Sequence, residues 1–125
     1  MTKKDFIGKW RITDMGAWDK DYFDEEVPEY IQVEKNLGGD FHFGYVQGQL
    51  DGRISKRERQ EYLEFTFDGA DYGGGDDVSG SGWIKLKDEN HAEGEIKFHL
   101  GDDSTFQLRR MNKEKFGNVI NSAET

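Results

Sequence analysis

The groups available for chemistry in this 125-residue chain are three histidines and 26 acidic side chains, and there is no cysteine. The missing thiols exclude a cysteine nucleophile, a disulfide framework and cysteine-ligated zinc. A histidine zinc site needs three or four clustered ligands. His42 and His99 fall on different expected strands, His91 falls in a turn, and no HxH pair occurs. They read as ordinary surface or partly packed histidines, so no metal and no cofactor are expected. The densest acidic tract runs from Asp68 to Asp77, with four aspartates, four glycines and no base. Carboxylates on a supple loop suit calcium, but the spacing fits neither an EF-hand nor a tandem glycine–aspartate repeat. A solvated loop is the expectation. Acid/base catalysis would fall to Glu64, His99 or Asp102, provided burial drove their proton affinities apart. Asp102 and Asp103 follow Gly101 in a hairpin, where such residues more often accept bonds from turn amides. Ser81 lacks the Gly-x-Ser-x-Gly spacing of a strained nucleophile turn. Gly73–Gly75 is followed by neither a lysine nor a helix start, so it is no phosphate loop.

Binding by apolar contact has better material. Aromatic residues make up 14% of the chain although hydrophobic residues make up only 34%. Disordered chains are poor in aromatics, so this composition suits a thin core of large side chains. Trp18, Phe23, Phe43, Tyr45 and Phe65 are the candidate ligand contacts. Trp18, Tyr22 and Phe23 sit in an acidic stretch, 14–29, which carries seven acidic residues against Lys20 alone. Aromatics in a long acidic loop suit either a lid over an open barrel end or an anchor for a protein partner. A basic segment follows at Arg53–Arg59, with four basic residues against Glu58. Opposite patches could dock two subunits as a homodimer, or simply blunt a sheet edge and aid solubility.

The elements that must position these residues are strands. Apolar and polar residues alternate with period two at Trp10–Ile12, Ile31–Val33, Phe41–Tyr45, Leu50–Ile54, Leu63–Phe67, Ile84–Leu86, Ile96–Phe98 and Phe106–Leu108, as half-buried strands require. Short turns lie at Asn36–Asp40, Asp88–His91 and Leu100–Asp103. Gln47–Gln49 reads as a turn or a bulge, so strands three and four could be one bent strand. Residues 68–81 read as a long loop. A helical turn is expected near Asp21–Glu26. The expected fold is all-β: an eight-stranded antiparallel up-and-down barrel, since closure removes the two exposed edges that eight meandering strands would leave. Residues 1–111 form this single domain, and 112–125 form a polar tail with a possible short helix. Parity by apolar count places Glu64, Gln47, Asp51 and Arg109 outside in cross-strand pairs, whereas the reverse parity would make them a polar pocket inside the barrel, and Gln47 at a bulge could face either way. Sixteen glycines with one proline suit tight turns and bent strands.

Net charge is −9, which disfavours wrapping a nucleic-acid backbone. No apolar run reaches ~18 residues, so no membrane-spanning helix is expected. The first residues lack the apolar stretch of a secretory signal, which leads us to expect a cytoplasmic protein.

Gly8-Lys9-Trp10 at the first strand, with Arg109 on the last, resembles the structural signature of calycins, the lipocalin and fatty-acid-binding barrels. The resemblance implies that the guanidinium stacks on the indole and closes one end of the barrel. A longer resemblance lies in Trp10-Arg11-Ile12-Thr13, Trp18-Asp19, Phe43-Gly44-Tyr45-Val46-Gln47-Gly48, Val78-Ser79-Gly80-Ser81-Gly82-Trp83 and His99-Leu100-Gly101-Asp102-Asp103-Ser104. These look like stretches of a family of small bacterial proteins without an assigned activity. That resemblance implies a bacterial, cytoplasmic, single-domain protein and no mechanism. The expected function is a non-enzymatic binding module, holding a small apolar or aromatic ligand at an open barrel end or a protein partner through loop 14–29. A small acid/base enzyme and a self-associating structural protein are the alternatives.

Overall fold

A computed structural model describes residues 3–16 and 29–111. A short helix, α1 (Lys3–Phe6), precedes eight strands: β1 (Gly8–Met15), β2 (Tyr30–Val33), β3 (Gly38–Phe43), β4 (Val46–Arg57), β5 (Gln60–Asp71), β6 (Asp76–Asp88), β7 (His91–Phe98) and β8 (Asp103–Arg110). Each strand is antiparallel to the next, and β1 also pairs with β8, so the sheet closes into an up-and-down barrel. The alternation read from the sequence is the reason: every strand has one apolar face, and closure buries all eight faces against one another. The expected helical turn at Asp21–Glu26, the contacts Trp18 and Phe23, and the tail 112–125 lie outside the described residues.

Three local expectations are corrected. The turn between β3 and β4 is Gly44–Tyr45, with Gly44 left-handed at φ 57°. Tyr45 is therefore a turn residue, Gln47–Gln49 lies within β4, and the two strands are separate. Residues 68–81 are no loop: β5 and β6 continue as a ladder to the pair Asp71 and Asp76, leaving a four-residue turn. Asp71 caps that turn by accepting from the amides of Gly73 (2.9 Å) and Gly74 (3.3 Å). Many of the glycines also have a different task from turning the chain. On the inner face, phenylalanine and glycine sit directly opposite each other across the ladder: Phe41 with Gly48, Phe65 with Gly82, Phe67 with Gly80, and Phe106 with Gly94. A Cβ at Gly82 would lie 2.5 Å from the Phe65 ring, and one at Gly94 would lie 2.5 Å from the Phe106 ring. Each glycine thus vacates the space its opposite ring fills.

The rings then pack on one another. Phe41 and Phe98 each meet Phe67 edge to face at 5.3 Å, and Phe43 meets Phe98 at 6.1 Å. Such pairs add roughly 0.5–1.5 kcal/mol each beyond their buried area. The space left among Ile12, Met15, Phe41, Phe65 and Phe106 is about 10 Å³, at the lower limit for one water molecule. The barrel interior is filled.

One end of the barrel is shut by α1. Phe6 and Trp10 are fully buried there, and the Trp10 indole N–H donates to the Phe6 carbonyl at 3.0 Å. The guanidinium over the indole, 4.2 Å from the ring centre, belongs to Arg110 and not to Arg109. Parity explains the correction. Phe106 and Leu108 face inward, so residue 110 does too, while Arg109 is exposed. Arg110 also donates to the carbonyls of Asp5, Ile7 and Glu89 at 2.5, 2.9 and 2.7 Å, so its planar fork ties α1 and the β6–β7 turn to the barrel. Burial lowers its proton affinity, against the opposing charges of Asp5 and Glu89. Gly8, at φ 137°, leaves room for that guanidinium: a Cβ there would come 2.9 Å from Nη1.

Candidate functional site

The opposite end carries the turns β3–β4, β5–β6 and β7–β8, and the connection from β1 to β2 leaves and re-enters there, at Gly16 and Glu29. Above the phenylalanine plug, this end opens into a recess of about 660 Å³. Its floor is apolar: Phe43, Val46, Val78 and Phe98. Phe43 and Val46 are buried, whereas Val78 and Phe98 are half-buried and face the opening. Its walls are acidic, with Asp71, Asp76, Asp77 and Asp102, and His99 and Leu100 complete the rim. The period-two pattern places these groups. The inward positions of β5 run Leu63, Phe65, Phe67, Gly69, Asp71, and those of β6 run Ile84, Gly82, Gly80, Val78, Asp76. The apolar inner face of the hairpin therefore ends at the mouth in two aspartates that are direct cross-strand partners.

The hydrogen bonds that shape the mouth come from the turns. The His99 amide donates to the Ser79 carbonyl at 2.7 Å and the Phe98 amide to the Asp102 carbonyl at 3.0 Å, pinning β7–β8 against β6. The Tyr72 amide donates to the Tyr45 carbonyl at 2.8 Å, which joins the β3–β4 and β5–β6 turns. The Glu29 carboxylate, fully buried at the start of β2, accepts from the Gly44 amide at 2.8 Å. Leu100 is 94% exposed and holds a left-handed backbone at φ 58°, and Tyr72 is 67% exposed. Strained or exposed apolar residues at two turn tips beside one recess are where a surface contact would fall.

The sequence-predicted contacts divide in two. Phe43 lines the recess, whereas Tyr45 does not line it: its ring packs beside Gly73 of the β5–β6 turn. Phe65 is instead a plug residue, buried at 4% exposure against Gly82. The acid/base candidates also separate. His99 and Asp102 share the mouth, and both are exposed. Glu64 lies on the outer wall of the barrel, paired with Arg57 at 2.5 Å. It lines a shallow outer trough of about 470 Å³ with Arg53, Trp83, Glu95 and Lys97. There the Trp83 indole donates to Glu95 at 3.3 Å, and Arg57 also covers the Tyr62 ring at 4.6 Å. Among the described residues no group of three or more histidines and carboxylates converges closely enough to hold a metal ion.

Sequence reading missed Val46, Val78, Phe98, Asp71, Asp76 and Leu100 as mouth residues. The signal for the two aspartates was present: continuing the alternation of Leu63, Phe65 and Phe67 reaches Asp71 on the same face. Comparison with known protein families, curated proteins and solved structures finds no match.

Proposed function

We propose that this protein is a non-enzymatic, calycin-like binding module that seats a small ligand with an apolar or aromatic body in the open end of its barrel. The observation that carries this reading is the recess of about 660 Å³ floored by Phe43, Val46, Val78 and Phe98. Its size falls within the ~300–1,000 Å³ of ordinary small-molecule sites. Because rings and opposing glycines fill the interior, the ligand rests on the plug and does not enter the barrel axis. Affinity comes from covering the exposed parts of Val78 and Phe98, and orientation from the polar rim. The stack of Arg110 on Trp10 at the far end supports the calycin-like reading, with the guanidinium one residue later than expected.

The test is fluorescence of the neutral probe N-phenyl-1-naphthylamine, which brightens in apolar sites. The wild-type chain should enhance it saturably, and Val78→Trp, which fills the floor, should abolish the enhancement while the fold is retained by circular dichroism. Enhancement that survives Val78→Trp places the site elsewhere and overturns the proposal.

A further inference from the structure

We infer that the mouth recess selects organic cations carrying an apolar body over neutral or anionic molecules of the same shape. The inference rests on the ligand-site reading above and specifies its chemistry. Floor and wall favour the same class of guest. The floor includes the half-buried Phe98, and an aromatic ring attracts positive charge through its quadrupole. The wall holds four aspartates and no lysine or arginine among the described lining residues. Asp71 and Asp76 face each other as cross-strand partners, an arrangement of like charges that costs stability. A cation between them relieves that repulsion, and an anion adds to it. Low-dielectric walls around a cleft of one sign concentrate its field in the opening.

The geometry also separates an organic cation from a metal ion. A hard metal needs several oxygens converging within about 2.0–2.6 Å of one point, and the described mouth carboxylates do not form such a group. Carboxylates spread around an apolar floor suit a spread guest, such as an ammonium group whose alkyl or aryl body lies on Val78 and Phe98. Leu100, exposed in its left-handed turn beside Asp102, adds apolar surface at the height of the charge. Among the described mouth-lining residues, His99 is the one side chain able to carry positive charge.

The experiment is an amide chemical-shift titration of the full chain with three probes of one shape: 3-phenylpropylamine, 3-phenylpropan-1-ol and 3-phenylpropanoate. The amine should shift the amides of Asp76–Ser79 and Phe98–Asp102, bind at least tenfold tighter than the alcohol at low salt, and lose that advantage as salt rises. The propanoate should bind most weakly. In Asp76→Asn/Asp77→Asn/Asp102→Asn, three exposed substitutions that leave the core untouched, the ratio of amine to alcohol affinity should fall to about one. Equal binding of amine and alcohol by the wild-type chain, or tighter binding of the propanoate, overturns the cation inference while leaving the recess as a ligand site. Failure of all three probes to shift the mouth amides overturns the ligand-site reading and this inference with it.

Discussion

Replacing Gly82 with alanine tests whether the filled interior depends on phenylalanine–glycine pairs. A Cβ at this position would lie 2.3 Å from the Glu95 carbonyl oxygen and 2.5 Å from the Phe65 ring. Overpacking a close-packed core ordinarily costs about 1–3 kcal/mol. Here one obstacle is backbone, held in the β6–β7 ladder opposite Gly82 itself by the Trp83–Glu95 and Gly82–Ile96 pairings. The other is a ring wedged at 4% exposure. Neither moves alone, so the cost should reach the top of that range, about 3 kcal/mol. For a domain of this length that lowers Tm by roughly 10 °C. Gly74→Ala is the control, because its Cβ would meet only the Asp76 carboxylate, at an ordinary 3.5 Å. It should change stability by no more than ~0.5 kcal/mol. The assay is urea unfolding followed by circular dichroism, with constant m-values confirming a comparable transition. The double variant Gly82→Ala/Phe65→Leu should be less destabilised than the two single variants added together, by ~1 kcal/mol, since the shortened side chain removes one of the two clashes. A Gly82→Ala protein as stable as Gly74→Ala would refute the argument that these glycines exist to admit rings.

Two further outcomes follow from the closed end and the outer wall. Arg110→Ala removes the stack on Trp10 and three bonds to backbone carbonyls, and should cost about 2–3 kcal/mol in chemical denaturation, while Arg109→Ala should stay within ~0.5 kcal/mol; equal effects would return the signature to Arg109. The Tyr30 phenol is pushed up from the ordinary tyrosine value of 10.0 to about 12 by burial, by its 2.7 Å hydrogen bond to Asp40 and by the charge of that carboxylate. The fold favours the neutral phenol, so this contribution is complete below pH 10 and is lost as pH rises through about 12. Phenolate absorbance at alkaline pH should show one late-titrating tyrosine that disappears in Tyr30→Phe, and a Tyr30 that ionises with the ordinary tyrosines would refute the assignment.

Much of the architecture was legible in period-two alternation, because a strand with one buried face must alternate and eight such strands must close or expose edges. Seven of the eight apolar stretches lie wholly in strands and the eighth, Phe41–Tyr45, runs two residues past the end of β3, while Glu64, Gln47, Asp51 and Arg109 face outward as their parity requires. The errors came where composition overrode parity. Residues 68–81 looked like a loop because glycine and aspartate are turn formers, yet inside a ladder Gly80 and Gly82 are the small partners of Phe67 and Phe65. The arginine over Trp10 was placed one position early because a resemblance was followed where alternation from Phe106 and Leu108 pointed to Arg110. The mouth was half visible. Phe43 lines it, but Phe65 does not, since an inward aromatic can plug a barrel or line a pocket and only its depth decides; Tyr45 lies in the β3–β4 turn and outside the lining. Leu100 carried no local signal, because its left-handed turn arises from the hairpin closure between β7 and β8.

The pairing of β1 with β8 has a consequence for how the chain is made. Trp10 is hydrogen-bonded across to a strand that ends at Arg110, so the barrel's first strand waits for its last. While synthesis is under way β1 and β7 both present open edges, and the rings that will become the plug have only part of their enclosure. Local hairpins such as β5–β6 can form early, but the closing step is a long-range encounter, slow relative to helix or hairpin formation. Unfinished chains at high local concentration are therefore the species most exposed to strand exchange with one another, and release of β8 is the event that ends that exposure.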